Sequence, residues 1–155
     1  MVRKIQVWGR LLMTLRKIAF GCDHAGFVFK EALKTTALEC GMEAIDFGTD
    51  GNDPVDYPDF ARAVAEALVA GEVEKGVLVC GTGIGMSMSA NRVRGVRAAL
   101  CTNSDMAALS RLHNNANILV LGARVIDLAL AQDCLRIFLE TQFEGGRHIA
   151  RVEKI

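Results

Sequence analysis

The sequence predicts an α/β fold, a parallel sheet covered by helices on both faces. Five short apolar runs, several without the polar alternation of a half-solvated strand, read as strands buried on both sides. Segments of helical periodicity lie between them, and strand–helix–strand alternation is the mark of βαβ units. A chain of 155 residues with no linker, internal repeat or low-complexity stretch fits one domain with a sizeable core.

The first strand is Lys17–Cys22 (KIAFGC). Ala25–Cys40 follows as a helix, with Phe29, Leu33, Ala37 and Cys40 at three-to-four spacing and Gly41 as its C-terminal cap. Glu43–Phe47 (EAIDF) is the second strand. Asp50–Asp59 is the most loop-like stretch, and Pro58 opens a helix that turns Phe60, Val64 and Leu68 inward and stops before Gly71. Gly76–Cys80 (GVLVC) is the third strand and runs straight into a glycine-rich loop and a further helix. Val96–Cys101 is the fourth strand, and the polar Thr102-Asn103-Ser104 cluster suits the N-cap of a helix over Ser104–Leu112. Asn117–Leu121 is the fifth strand. Val125–Phe143 is the longest helix, with Ile126, Leu130, Cys134, Ile137 and Phe138 on its apolar face. The tail from Glu144 leaves the core through a Gly-Gly break and carries Arg147, His148, Arg151 and Lys154. Residues 1–14 are expected to form an extension ahead of a single domain spanning 15–155, with Met13 as an alternative start. Gln6, Gly9 and Arg10 interrupt any secretory apolar core in that extension, and its lack of serine makes a transit peptide a poor fit.

Eighteen basic residues balance eighteen acidic ones, so no broad electrostatic footprint for nucleic acid or an anionic membrane exists. No apolar stretch is long enough to span a bilayer. Five cysteines without a CxxC spacing read as reduced thiols of a cytoplasmic protein. The three histidines are scattered along the chain, with no HxxxH spacing or compact carboxylate cluster, so neither a metal nor another cofactor is expected.

Open parallel sheets bind ligands beyond the carboxyl ends of their strands. Gly21-Cys22-Asp23-His24, Cys80-Gly81-Thr82-Gly83 and Cys101-Thr102-Asn103 stand at such ends, and Arg111, His113, Asn114 and Asn115, just before strand five, are expected on the same edge. The loop after Cys80 is neither a Walker A loop nor a GxGxxG fingerprint. Its glycines allow close backbone approach and its amides suit an anion, although a ligand-free strand-to-helix turn has the same look. Cys80 reads either as a buried structural cysteine, as Cys40 and Cys134 do, or as a base beside an anion hole, which is what enolisation requires. Asp23 suits a helix cap or acid–base work. His24 and His113 have polar neighbours, whereas His148 reads as an ordinary tail residue. Arg124 and the Arg147/Arg151 pair suit either a solvated surface or a phosphate monoester.

GCDHAG (21–26), DYPDFA (56–61), CGTGIGMSMSANR (80–92), SRLHNNANIL (110–119), GARV (122–125) and EGGRH (144–148) resemble the ribose-5-phosphate isomerase B family in the same order. The likeness covers everything but the extension. It implies a five-stranded, Rossmann-like α/β/α sandwich and a homodimer, paired into a tetramer in some members. It also implies cofactor-free interconversion of ribose 5-phosphate and ribulose 5-phosphate through a cis-enediolate. Carried over, Cys80 is the base between C2 and C1, and Gly81, Thr82, Gly83, Ile84 and Gly85 hold the enediolate. His113 protonates the ring oxygen, with Asp23 near the anomeric hydroxyl. Asn114 and Tyr57 meet sugar hydroxyls, and His24, Arg124, Arg147 and Arg151 hold the phosphate, some of the arginines coming from the partner subunit. Allose 6-phosphate or galactose 6-phosphate as substrate is the alternative within this class. A non-catalytic sugar-phosphate or nucleotide sensor is the alternative outside it.

Overall fold

The computed structural model describes residues 15–155. The expectations for residues 1–14 lie outside them. Five strands, β1 (Arg16–Cys22), β2 (Met42–Asp46), β3 (Lys75–Cys80), β4 (Ala98–Leu100) and β5 (Ile118–Gly122), form one sheet in the order β2-β1-β3-β5-β4. Every neighbouring pair is parallel. Helices α1 (Phe27–Glu39), α2 (Tyr57–Val69), α3 (Ile84–Ala90) and α4 (Ser104–Leu112) connect them, α5 (Leu128–Glu140) follows β5, and the tail forms a single 3-10 turn (Gly146–His148) and a short α6 (Ile149–Val152).

Alternate residues of each strand serve opposite layers, as the two-residue strand period requires. Ile18, Phe20, Val77, Val79, Leu119 and Leu121 pack with Leu33, Ala37, Ala131, Leu135 and Phe138 of α1 and α5. Ala19, Leu78, Cys80, Ile118 and Val120 pack with Ala61, Val64, Met86 and Ala90 of α2 and α3. The three-layer sandwich expected from the sequence is thus the observed one.

The element boundaries differ where local chemistry intervenes. The β4 run shortens to three residues: Val96 follows directly on the Gly95 turn (φ +91°), and the Arg97 amide donates to Asn117 Oδ1 at 2.7 Å. Asn91 brackets the edge strand there, accepting from the Ala98 amide and donating to the Ala98 carbonyl. The final helix begins three residues later than its apolar pattern, at the point where the Asp127 carboxylate caps it by accepting from the Leu130 amide at 2.8 Å.

A buried ion cluster fixes the end of the β1–β2 edge. Lys30 of α1 is fully buried and donates to Asp46 Oδ1 at 2.7 Å and to the Thr49 carbonyl at 2.6 Å. Lys34 donates to the other Asp46 oxygen at 2.6 Å. Burial pushes the Asp46 pKa up, but the bonds from Lys30, Lys34 and the Gly48 amide outweigh it and hold the carboxyl below its usual range. A depressed carboxylate pKa stabilises the fold above the unfolded value and loses that contribution as pH falls through the folded one. Asp46→Asn strands the Lys30 charge and should cost about 3 kcal/mol at neutral pH. Urea unfolding across pH should show the gap to wild type closing below about pH 4. A gap of constant size would contradict the pairing.

Candidate functional site

The carboxyl edge of the sheet gathers most of the sequence candidates. Cys80 closes β3, and its Sγ accepts a hydrogen bond from the Gly83 amide at 3.1 Å. The loop therefore wraps back over the sulfur, whose residue is only 4% exposed. Gly83 makes the wrap possible. Its φ is +81°, and a Cβ there would lie 2.5 Å from Leu100 Cδ1. Thr82 is exposed, and its Oγ1 accepts from the Ile84 amide at 3.3 Å.

Two side chains close on this loop from other elements. The Arg124 amide donates to the Gly81 carbonyl at 2.9 Å, and the Arg124 guanidinium occupies the space that a Gly81 side chain would need. Tyr57, the first residue of α2, lies over Gly85, where a Cβ would sit 2.4–2.7 Å from ring atoms and the hydroxyl. Asp23 follows β1 and is buried. Its Oδ1 accepts from the amides of Ala25 and Gly26 at 2.9 and 3.2 Å, which makes it the brace of the turn before α1; the helix cap itself is Gly26. His24 Nδ1 accepts from the Val55 amide at 3.3 Å and so joins the loop that leads to Tyr57. That bond occupies Nδ1 and leaves Nε2 as the ring nitrogen available to a ligand.

Of the other cysteines, Cys22, Cys101 and Cys134 are buried and Cys40 is partly buried. Burial pushes Cys22 and Cys101 up to about 11 and raises Cys134 and Cys40 as well.

His113, Asn114, Arg147 and Arg151 are on the opposite edge. The expectation that the segment before strand five joins the carboxyl edge is therefore corrected. In a parallel sheet, α4 must carry the chain from the carboxyl end of β4 back to the amino end of β5. His113 is the C-cap of α4, five residues before β5 starts, so it stands with the amino ends of the strands. A six-residue strand separates the two edges by about 15–20 Å.

The amino edge also holds a residue that sequence reading set aside. His148 is buried and stacks on His113, with ring centroids 4.4 Å apart and planes 15° apart. Glu144 Oε2 lies 3.8 Å from His113 Nε2 and 3.5 Å from His148 Nε2. Burial, with help from His113, Arg147 and Arg151, holds the His148 imidazole below its usual range against the pull of Glu144. Two of the three histidines thus meet in space despite their separation in sequence; only His24 stands apart. The signal was the EGGRH segment itself, whose Gly145 and Gly146 both take positive φ and turn the tail back onto α4. Arg147 and Arg151 are exposed beside it. A groove of about 370 Å³, lined by Asn91, Arg94, Arg97, Ala98, Asn114 and Ile155 among others, opens on this side, beside the edge strand.

Residues 18–155 match a family described as Ribose/Galactose Isomerase. The chain belongs to that family. It is 48% identical over 141 residues to the ribose-5-phosphate isomerase B of Escherichia coli strain K12, covering 91% of this chain and 95% of the relative. A D-erythrulose-4-phosphate isomerase of Pectobacterium atrosepticum is 41% identical over 140 residues, covering 89% and 91%. Among solved structures, ribose-5-phosphate isomerase B of Clostridium thermocellum superposes with a TM-score of 0.87 at 53% identity, over 89% of this chain and 93% of that one. The Trypanosoma brucei type B enzyme gives 0.89 at 42% identity, over 91% and 97%.

For an isomerase of this family, the contact between Gly85 and Tyr57 makes a specific prediction. Gly85→Ala should push the half-exposed Tyr57 ring off the loop and lower sugar-phosphate turnover while leaving the unfolding midpoint near wild type. Combining it with Tyr57→Ala should add little beyond the larger single effect, because both changes remove one contact. Additive losses would show that Tyr57 and Gly85 act separately.

Proposed function

We propose that the chain interconverts D-ribose 5-phosphate and D-ribulose 5-phosphate by proton transfer through a cis-enediolate, with no metal in the reaction. The observation that carries this reading is Cys80 Sγ seated in the glycine loop, 3.1 Å from the Gly83 amide, with Arg124 and Tyr57 packed on the same loop. A base and a set of backbone donors share one turn, as enolisation needs.

In the open-chain aldose, Cys80 takes the proton from C2, the C2–H electrons form a C1–C2 double bond, and the carbonyl π electrons at C1 move onto its oxygen. Loop amides and Thr82 hold the resulting charge. The same sulfur returns the proton to C1 while the C2 hydroxyl proton passes to the charged oxygen at C1, which gives the ketose and leaves the sulfur as it began. His24 and Arg124 take the phosphate from the near side, and Tyr57 a sugar hydroxyl. Asp23 has spent Oδ1 on its own turn and would meet the anomeric hydroxyl through its other oxygen.

Ring opening needs an acid, and the chain's candidate, His113, is at the far edge of its own sheet. We therefore infer a homodimer in which His113, Asn114, Arg147 and Arg151 of a second copy complete the site around Cys80. The place of Cys80 and His113 at opposite edges of one parallel sheet favours this arrangement over a site closed within one chain. A cytoplasmic place in pentose phosphate metabolism fits the five free thiols.

Cys80→Ala should lower kcat by roughly 10²–10⁴-fold, as loss of an acid–base group does, with folding and ligand binding kept. Wild-type turnover would end the proposed role. Deuterium exchange at C2 distinguishes catalysis from mere sensing, since a sensor exchanges none. Ribose 5-phosphate, allose 6-phosphate, galactose 6-phosphate and D-erythrulose 4-phosphate should be compared side by side, with the pentose preferred.

Subunit mixing tests the shared site. Cys80→Ala and His113→Ala homodimers should each be nearly inactive. After unfolding and refolding together, half the dimers are hybrids with one intact site of two, so about a quarter of wild-type activity should return. No recovery, in a mixture shown to contain hybrids, would place both residues in one subunit's site.

A further inference from the structure

The amino edge carries a cluster that the isomerase reading uses only in part. Glu144 sets one carboxylate oxygen between two imidazoles, 3.8 Å from His113 Nε2 and 3.5 Å from His148 Nε2. His148 is 5% exposed. Among the described residues, its Nε2 is the one buried side-chain nitrogen or oxygen without a hydrogen-bond partner. Buried polar atoms are almost always paired, so an orphan aimed at a carboxylate and a second imidazole points to a missing ligand.

We propose that His113, Glu144 and His148 form a three-ligand site for a divalent transition-metal cation of the zinc type, whose occupancy inhibits isomerisation by withdrawing His113. The binding half of this inference stands on side-chain geometry alone. The inhibition rests on the acid role given to His113 above.

The donor set is two imidazole nitrogens and one carboxylate oxygen, the kind that leaves a fourth tetrahedral position open. All three ligand atoms lie within 4.8 Å of one another. Zinc bonds of about 2.0–2.2 Å in a tetrahedral site place ligand atoms about 3.3 Å apart. The two oxygen–nitrogen gaps are already close to that spacing, so most of the closure falls on the stacked rings, which must tilt out of parallel. His113 can tilt, being the partly exposed C-cap residue of α4. The Glu144 side chain is exposed and followed by the Gly145–Gly146 hinge, while its own amide is anchored to the Leu112 carbonyl at 3.1 Å. The cluster is thus held near its bonding geometry by backbone and free to close by side-chain motion.

Charge sets the selectivity. Arg147 and Arg151 act on His148 as repelling charges, and they oppose any cation on this edge. A hard cation such as Mg²⁺ or Ca²⁺ would have only one carboxylate to overcome that repulsion. Zinc, copper and nickel gain the two imidazoles as well.

The test uses the full chain, stripped of metal with a chelator and titrated with Zn²⁺ by calorimetry and with Co²⁺ by visible absorption. One zinc per chain is expected, with the intense Co²⁺ bands of a four-coordinate site. Loss of an outer-shell partner costs metal sites about 10–100-fold in affinity, so Glu144→Gln and His148→Gln, which remove ligands, should each cost at least that. Cys80→Ala should bind zinc as wild type does. Zinc should inhibit ribose 5-phosphate turnover over the concentrations at which it binds, a chelator should restore activity, and Mg²⁺ should do nothing. Absence of uptake, uptake surviving both ligand substitutions, or uptake lost in Cys80→Ala would overturn the site. If the ligand variants fail to fold, anomalous diffraction from zinc-soaked wild-type crystals decides: a peak among the three side chains supports the site, and a peak elsewhere or none overturns it. A chain that binds zinc here without isomerising ribose 5-phosphate keeps the metal site and loses the proposed function. One that isomerises without taking up zinc does the converse.

Discussion

The parallel direction of all five strands is the constraint on which everything else here depends. Each connection must cross the full depth of the sandwich, out along a strand and back along a helix. Side chains that follow strands collect at one edge, and side chains that precede strands collect at the other. Cys80, Asp23, His24 and Arg124 are of the first kind, while His113 and Asn114 are of the second. The tail joins the second group because α5 delivers it there. About 15–20 Å of strand stands between the groups, further than any side chain reaches. On the proposed reading, a site that uses both groups must therefore draw them from two copies of the chain.

Within the carboxyl edge, position is set by what cannot fit. A side chain at Gly26 would drive a Cβ to 2.3 Å from the Val79 carbonyl oxygen, so the start of α1 presses directly on β3 just before Cys80. Gly122 bears the same relation to the Thr82 carbonyl, at 2.6 Å, which brings β5 and Arg124 against the loop. On the far side, the Lys30–Asp46 cluster ties α1 to the segment leaving β2, the segment that leads to Tyr57. A buried ion pair is a weak source of net stability, because desolvation offsets most of its attraction. Its value here is geometric: it places the backbone from which Tyr57 reaches the loop.

The sequence was most legible where one period dominates. The apolar runs ending in Cys22 and Cys80 are buried on both faces, so composition alone marks them as interior strands. Ser104–Leu112 was legible to the residue because Asn103 accepts from the Met106 amide and caps it. β4 was over-read because an edge strand pairs on one side only, and a side chain, Asn91, replaces its missing neighbour. The residue types of the site were equally visible, but their grouping was not. Listing residues near strand ends treats both ends alike, and only the direction of the strand tells them apart. His148 was hidden for a different reason. Its burial comes from contact with His113, 35 positions away, across a hinge of two glycines whose left-handed conformations carry no apolar signal.

The tail therefore has a place in the fold that its composition disguises. It looks like a solvated basic extension, and Arg147 and Arg151 are indeed exposed. Yet it is fastened to α4 at two points, the Glu144 amide on the Leu112 carbonyl and the His148 ring on His113. The stacking sets the resting plane of the His113 imidazole, and Glu144 lies near the Nε2 atoms of both rings. An acid must present its proton in one direction to a substrate it does not otherwise hold. A lone histidine at a helix C-cap would sample several directions, and the tail narrows them. On the proposed reading, the same segment supplies the phosphate arginines and orients the acid beside them. The tail and the end of α4 then deliver the complementary half of the site together, and the partner's loop has only to receive it.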